Sequence, residues 1–238
     1  MESKYILVGV GVLIVLVAGY LLWNSGAVVS AQGLSELTVQ PDEASVYLSI
    51  ESHAENAIDA KNNNAEISDD VLTALIKMGF ERSEIQTLNY NIYPEYDYSY
   101  GRSTLKGYFA SQQIIIKTND FDKVAGVIDA GVDAGAILQS INFELSQLKQ
   151  NEYKAEALKM AAEDAKIKAG AIASGSGKRL GRLVSTANND FYYPGPLNYY
   201  SGSAESSVMD VKRVAVNIAP SDMKVTASIN VQYKLGFF

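Results

Sequence analysis

Residues 151–174 read NEYKAEALKMAAEDAKIKAGAIAS and give the strongest helix signal of the chain. Its apolar residues recur at alternating spacings of three and four, which is the period of one face of an α-helix. Most of them are alanine, and small side chains allow a helix to lie close to a sheet. Gly175 and Gly177 follow and are typical of a helix end. The stretch predicts a long helix whose packed face consists of Ala155, Leu158, Ala162, Ala165, Ala169 and Ile172.

The segments around this helix alternate apolar and polar residues with the period of a β-strand. The longest alternating run extends from Val225 to Leu235. Shorter runs predict strands at 46–50, 88–92, 108–117, 141–145, 182–187 and 214–218, the second of them ending at Pro94.

Two more helices are predicted between these strands. The longer one runs from Ala54 to Met78, and the shorter one runs from Phe121 to Ala130. The buried side of the longer helix is predicted to contain Ile58, Ala65, Leu72 and Leu75. Strands interleaved with helices predict an α+β fold, in which helices pack on one face of a mixed, largely antiparallel sheet.

Residues 5–23 contain no charged side chain and are almost entirely apolar. A helix of this length is roughly 28 Å long, which matches the hydrocarbon core of a bilayer. We therefore expect one N-terminal transmembrane helix before the folded part. Lys4 precedes the segment and the next basic residue is Lys61. The positive-inside rule then places residues 1–4 in the cytoplasm and residues 27–238 outside it.

The alternative to an anchor is a cleavable signal peptide. Val29-Ser30-Ala31 offers small residues of the kind found at cleavage sites. The apolar segment is, however, longer than the usual apolar region of such peptides. This length favours an uncleaved anchor.

Composition excludes several classes of function. The net charge of −7 argues against nucleic-acid binding, which needs clustered Lys and Arg. The absence of cysteine excludes disulfides, iron–sulfur clusters and thiolate zinc sites. His53 is the only histidine, and the chain has no Gly-x-Ser-x-Gly motif. We therefore expect no catalytic residue, no cofactor, no metal site and no nucleic-acid partner.

Tyrosine is the residue type most unevenly distributed along the chain. Ten of the 15 tyrosines lie within residues 90–108 and 192–200. Residues 190–207 predict a long loop rich in Tyr, Gly, Pro and Ser. Tyrosine is enriched at interfaces, and the alternative explanation is a pair of mobile surface loops with harmless aromatics. The interface hypothesis assigns the contact to Tyr93, Tyr96, Tyr98, Tyr100, Phe191, Tyr192, Tyr193, Tyr199 and Tyr200.

The order of several short motifs resembles the SIMPL-domain family, which includes the YggE-type bacterial envelope proteins. The most distinctive motif lies in the long helix and comprises Tyr153, Ala157-Leu158, Ala161, Ala165 and Ala169, followed by Gly177 and Leu180-Gly181. The others are Val29–Gly33, Pro41-Asp42 with Ala44 and Val46, Gly107-Tyr108 with Ala110, Ile141 with Phe143, and Pro220 followed by 225–235. Departures from the family pattern are Ser35 and Ser221 at glycine positions, and a longer, more aromatic segment at 190–207.

The resemblance covers the chain from about residue 28 to its C-terminus. It implies an envelope location, no established catalytic residues and, for some members, assembly into large homo-oligomeric rings. It also implies that Val28–Gly33 begins the first strand. Cleavage after Ala31 would cut that strand, so the resemblance supports the uncleaved anchor.

Together these observations predict a non-enzymatic, membrane-anchored envelope protein that self-assembles into a homo-oligomeric scaffold or ring. The alternative is an extracytoplasmic binding module that takes a glycan, a peptide or a membrane-protein partner through its tyrosine-rich loops. A hydrolase fits less well, because no nucleophile–base pair is evident.

The first prediction is that the N-terminal segment is retained in the mature protein. The reason is the length of the uncharged segment, 5–23, together with the strand expected just after it. The intact mass of protein extracted from native membranes should correspond to a chain that still contains residues 5–23. A mature N-terminus near Gln32 would contradict the prediction.

Overall fold

The computed structural model describes residues 26–98, 102–201 and 220–236, together with Leu13 and Val17. Across these ranges the helices are α1 (Ala57–Lys77), α2 (Lys123–Asp133) and α3 (Gln147–Gly175). The strands are β1 (Val28–Val39), β2 (Glu43–Ala54), β3 (Ile85–Asp97), β4 (Thr104–Thr118), β5 (Ile137–Glu144), β6 (Arg179–Tyr192), β7 (Leu197–Ser201) and β8 (Met223–Gly236).

The predicted transmembrane segment, residues 5–23, lies outside the described residues except for Leu13 and Val17, which are helical. Among the helices that the structure describes, none is long and apolar enough to cross a bilayer.

The strands form two sheets where the sequence predicted one. A three-stranded sheet has the order β1-β8-β6, and a five-stranded sheet has the order β3-β4-β2-β5-β7. The chain divides into two compact units. The first contains residues 1–38, 151–193 and 224–238, and the second contains residues 39–150 and 194–223.

In the first unit, α3 packs against β1 through alanine side chains. The buried positions are spaced by four residues, and they are Ala157, Ala161, Ala165, Ala169 and Ala173. The predicted face was therefore partly wrong. Ala165 and Ala169 are buried as expected, but Ala155 and Ile172 are exposed.

The small side chains bring the backbones of α3 and β1 unusually close together. A Cβ atom built on Gly33 of β1 would lie 1.8 Å from the carbonyl oxygen of Ala161. The neighbouring Ser35 hydroxyl donates to the carbonyl of Ala157 at 2.7 Å. So close an approach requires small side chains on both elements, and these are Gly33 in β1 and the alanine row in α3.

An exposed carboxylate of α3 also binds β1. The amide N–H of Leu34 donates to Oδ2 of Asp164 at 2.9 Å, and Nζ of Lys168 lies 2.6 Å from the same oxygen. The Lys168 ammonium and the Leu34 N–H hold the pKa of Asp164 below its usual value. The carboxylate therefore satisfies a backbone donor of β1, which is an edge strand of the described sheet.

In the second unit, α1 and α2 cover one face of the five-stranded sheet, as the sequence predicted for helices on one face. The residues of this core come from the central strands β2, β4 and β5 and from both helices. The fully buried members with the largest side chains include Leu48, Ile50, Ile116, Ile141, Phe143, Val71, Leu75, Val127 and Ile128.

The buried face of α1 contains an asparagine that the hydrophobic pattern does not predict. Asn64 is fully buried and its Nδ2 donates to the carbonyl oxygen of Ile50 at 2.8 Å. Of the predicted face, Leu75 is buried and Leu72 half-buried, whereas Ile58 is 71% exposed and Ala65 is also exposed. The hydrogen bond from Asn64 fixes a rotation of α1 that turns Ile58 and Ala65 toward solvent.

Polar and charged side chains occupy one end of the opposite face of this sheet. Lys117 of β4 lies between Glu43 of β2 and Glu144 of β5, and Ser45 donates to Oε1 of Glu144 at 2.7 Å. Partial burial by itself lowers the pKa of Lys117, but the hydrogen bond to Glu43 and the charge of Glu144 outweigh it and leave the pKa raised. These side chains cover Ser45, which is fully buried.

The strands extend beyond their predicted bounds, most clearly in β3 and β6. β3 does not end at Pro94, which pairs with Tyr108 and is followed by three more strand residues. β6 is longer than the predicted 182–187, since it runs through Tyr192. The predicted strand at 214–218 lies outside the described residues.

Replacing Gly33 with alanine should destabilise the protein by about 1–3 kcal/mol, because the added methyl group overlaps the backbone of α3. Urea denaturation followed by circular dichroism measures the change. Gly170 of α3 is the matched control. A Cβ atom added there would meet nothing within 4 Å, so Gly170→Ala should stabilise the helix by up to about 1 kcal/mol. Equal stability of the two variants would contradict the packing argument.

Candidate functional site: the tyrosine hairpin

The strands β3 and β4 form a hairpin that extends beyond the rest of its sheet. We call residues 85–118 the tyrosine hairpin. β2 ends at Ala54, which pairs with Tyr108, whereas β3 and β4 continue to the pair formed by Asp97 and Thr104. In the part of the chain that the structure describes, β3 lies at the edge of the sheet and pairs only with β4. A two-stranded ribbon of this kind is marginally stable by itself.

The hairpin exposes large apolar side chains on both of its faces. Tyr90 pairs with Gln112 and Tyr93 pairs with Phe109, so the two tyrosines point to opposite sides of the sheet. The apolar side chains with 43–74% exposure are Leu88, Tyr90, Tyr93, Tyr96, Tyr98 and Leu105. Grouped apolar exposure of this kind marks contact surfaces.

On the face opposite the helices, three rings form a row across β2, β4 and β3. The centroid of the His53 ring lies 4.6 Å from that of Phe109, and the Phe109 centroid lies 5.1 Å from that of Tyr93. Farther along the hairpin, the Tyr96 and Tyr98 centroids are 6.4 Å apart. These contacts orient the rings while leaving Tyr93 half exposed.

A carboxylate connects the row of rings to the tip of the hairpin. Oε1 of Glu95 accepts from Nζ of Lys106 at 3.2 Å, and Oε2 lies 3.1 Å from Nδ1 of His53. The Lys106 ammonium and, next, the His53 ring hold the pKa of Glu95 below its usual value. Glu95 thus ties the end of β2 to both strands of the hairpin.

Gly107 is required where the hairpin passes the end of β2. A Cβ atom at this position would lie 2.6 Å from the carbonyl oxygen of Ala54. The register of β3 and β4 also shifts between Glu95 and Tyr96, next to Gly107. The glycine therefore permits the close strand approach and the change of register at the base of the projecting part.

The predicted contact residues fall into separate groups. Tyr93, Tyr96 and Tyr98 lie in the hairpin of the second unit, while Tyr100 lies outside the described residues. The segment 191–193 belongs to the first unit, where Tyr192 is 60% exposed and Phe191 and Tyr193 are half-buried. The Lys154 ammonium lies 5.3 Å from the centroid of the Phe191 ring.

The predicted loop at 190–207 is largely strand where the structure describes it. β6 continues through Tyr192, and the backbone of Tyr199 and Tyr200 belongs to β7, which pairs with β5. The remaining residues, 202–207, lie outside the described part. The prediction of a loop failed because Gly and Pro are concentrated at 194–196, between two strands.

Sequence reasoning missed several members of this surface. Leu88 and Tyr90 belong to an alternating run, which predicted half burial, and both are exposed. No sequence pattern indicated that Leu105, Lys106 and Phe109 belong to this surface. One signal was available, since a proline within a strand pattern is typical of an edge strand, and Pro94 occupies that place in β3.

Nothing in the described geometry resembles a metal centre. Among the residues in the described ranges, no group of three or more His, Asp or Glu side chains could hold a metal ion. His53, the only histidine of the chain, is engaged with Glu95 on an exposed surface.

Comparison with known families identifies the fold. The model of the family SIMPL, described as "Protein of unknown function (DUF541)", matches residues 29–233. The chain belongs to the SIMPL family. The resemblance inferred from the alanine motif and the ordered strands is therefore confirmed.

The curated relatives of this SIMPL protein span most of its length. The "26 kDa periplasmic immunogenic protein" of Brucella melitensis is 28% identical over 216 residues, which cover 87% of this chain and 84% of the relative. "Uncharacterized protein YggE" of Escherichia coli K12 is 26% identical over 174 residues, or 72% of this chain and 70% of the relative. The YggE of Edwardsiella ictaluri is 27% identical over 161 residues, or 67% of each chain.

Replacing Lys106 with methionine should raise the pKa of Glu95 toward its ordinary value, and His53→Gln should raise it less, because Lys106 has the larger effect. Because the pKa of Glu95 is depressed in the folded protein, its contacts with Lys106 and His53 stabilise the hairpin at pH values above the ordinary glutamate pKa of 4.5. That contribution is lost as the pH falls through the lowered folded-state value.

The measurement is an NMR titration of protein labelled with carbon-13 at its glutamate carboxyl groups. Lys77→Met, at the end of α1, is the matched control and should leave the Glu95 titration unchanged. An unaltered Glu95 pKa in Lys106→Met would show that the ion pair does not form in solution.

Proposed function

We propose that this SIMPL protein is a non-enzymatic, membrane-anchored envelope protein whose copies assemble into a homo-oligomeric scaffold or ring through the tyrosine hairpin. The observation that carries the proposal is the edge strand β3, which is exposed along most of its length and bears four large exposed apolar side chains: Leu88, Tyr90, Tyr93 and Tyr96.

The edge of β3 has few of the charged residues that usually protect an edge strand against pairing with another chain. Natural edge strands are commonly guarded by lysine or by inward-pointing charges. Residues 85–97 contain no Lys or Arg, and the only charged residues are Glu95 and Asp97 near one end. A long edge with tyrosines and without basic residues supports a role in specific association.

The tyrosine-bearing residues form two different patches, which is what a ring requires. A head-to-tail contact joins two distinct surfaces and closes into a ring when the rotation between copies permits. The hairpin is one such patch, and the segment 191–193, with Tyr192 exposed, is the second. A self-complementary contact through β3 alone would give a dimer.

The proposed location is outside the cytoplasm. The Brucella melitensis relative is called periplasmic, and the uncharged segment 5–23 would anchor this chain with its N-terminus in the cytoplasm. Anchoring confines every copy to one plane and one orientation. Confinement raises the effective concentration of the patches, so weak contacts suffice for assembly.

Combining Leu88→Thr, Tyr90→Thr and Tyr96→Thr should convert the oligomer of the detergent-extracted full chain into smaller species, because the apolar edge contact is lost while β-forming residues remain. Native mass spectrometry measures the mass. Replacing Tyr192 and Tyr193 with Ser tests the second patch in the same way.

The matched controls are Ile58→Gln and Ile167→Gln, which remove exposed apolar side chains of α1 and α3. Both variants should keep the wild-type mass. A monomeric wild-type chain, or an oligomer unchanged in the triple β3 variant, would rule out assembly through the hairpin.

A further inference from the structure

The face of the five-stranded sheet opposite the helices carries an ordered array of side chains, of which the proposed assembly through the β3 edge uses only Tyr93. The array consists of three parallel rows that follow the strand register, and a hydrogen bond from Gln113 adds Gln139 to the first row. The first is Gln139, Gln113 and Asn89; the second is Glu51, Ser111 and Asn91; the third is His53, Phe109 and Tyr93. We call these three rows the amide–aromatic platform.

From the register and this chemistry we infer that the amide–aromatic platform is a binding site for a short, uncharged oligosaccharide. Rows two residues apart along a strand are separated by about 6.7 Å, so the platform is about 13 Å long. That length accommodates more than one sugar ring. The proposal concerns a face of the sheet and does not depend on oligomer formation.

The amide row is fixed by hydrogen bonds across the sheet. Nδ2 of Asn89 donates to Oε1 of Gln113 at 3.1 Å, and Nε2 of Gln113 donates to Oε1 of Gln139 at 3.3 Å. The row passes over Ser49 of β2, whose side chain is small enough to be covered and is 2% exposed.

This ladder leaves hydrogen-bonding capacity of the three amides unused. Each carboxamide has two N–H donors and an oxygen with two lone pairs, and the ladder uses one donor each of Asn89 and Gln113 and one lone pair each of Gln113 and Gln139. The side chains are already ordered, so a ligand that bonds to them incurs little further loss of rotamer entropy. Sugar hydroxyl and acetamido groups both donate and accept, as the amides do.

The ring row supplies the apolar part of the site. The faces of aromatic rings carry partial negative charge, which attracts the positively polarised C–H bonds on one face of a sugar ring. Tyr93 is 49% exposed, and its contact with Phe109 fixes the orientation of both rings. Glu51 of the middle row accepts from the Ser49 hydroxyl at 3.0 Å and presents a carboxylate between the rings and the amides.

The charges of the platform select against an anionic ligand. Lys106 is paired with Glu95, and the neighbouring carboxylates Glu51 and Glu55 add negative charge. A depression of about 390 Å³ adjoins the ring row and is lined by His53, Glu55, Glu95, Lys106 and Tyr108 among others. Its volume lies within the range of small-ligand sites. Phosphorylated or uronate-rich glycans would be repelled.

Saturation-transfer NMR tests the proposal on the full chain in a zwitterionic detergent that lacks a sugar headgroup. The probes are the N-acetylglucosamine trimer and maltotriose. At least one should receive saturation from the protein, and an anionic trisaccharide of galacturonate should not. Absence of transfer to both neutral probes at millimolar concentration, or equal transfer to the galacturonate probe, would overturn the inference.

The matched comparison is between variants of two neighbouring glutamines of β4, Gln113 and Gln112, whose side chains lie on opposite faces of the sheet. Gln113→Leu combined with Gln139→Leu removes the amide row and should weaken binding at least tenfold. Gln112→Leu changes an amide on the opposite face, where its Nε2 donates to Thr87, and should alter affinity less than twofold. Equal losses in the two variants would contradict the assignment.

The same variants separate this site from the proposed assembly. The Gln113→Leu and Gln139→Leu chain should keep the wild-type native mass. Conversely, the variant with threonine at 88, 90 and 96 should still bind the neutral probe. If that variant lost both sugar binding and assembly, the sugar site on the sheet face would not be independent of the assembly contact, and the inference would be wrong.

Discussion

The contact between α3 and β1 determines how the first unit is built. A glycine at residue 33 and alanines at every fourth residue of the helix remove the side chains that would keep the two backbones apart. The short distance makes the bonds from Ser35 to Ala157 and from Leu34 to Asp164 possible. The interface gains little from the area of each alanine, so it depends on dense van der Waals contact along its whole length.

The second unit is packed with large side chains where the first unit uses small ones. Its core uses large aliphatic side chains from β2, β4 and β5, and two helices are sufficient to cover the central strands. Apart from Ile85, which packs against this core, β3 lies mostly beyond this cover and its side chains are largely exposed. The exposure of the tyrosine hairpin is thus a consequence of the sheet being wider than its helical layer. Ion pairs and amides occupy the face without helices, and that face remains polar.

Local patterns predicted most of the elements and, among the proposed contact residues, Tyr93, Tyr96 and Tyr98, but they did not predict the amide–aromatic platform. The alternation from Val225 to Leu235 identified β8, and the α+β class followed from the order of elements. The buried faces of α1 and α3 were misassigned because a period alone does not reveal Asn64 bonding to Ile50 or the steric demand of Gly33. Gln139, Gln113 and Asn89 are far apart in the chain, and only the strand register brings them together.

The irregularities of β3 limit the length of its free edge that can pair with a strand of another chain. The register with β4 shifts between Thr87 and Asn89 and again after Glu95, and Pro94 has no N–H to donate. Only the stretch from Asn89 to Tyr93 is both regular and free of proline. Under the proposed assembly, a window of this size would support reversible docking between folded proteins. It is too short to seed the indefinite strand-by-strand growth of a fibril, so the edge can stay open in a crowded compartment without becoming a nucleus for aggregation.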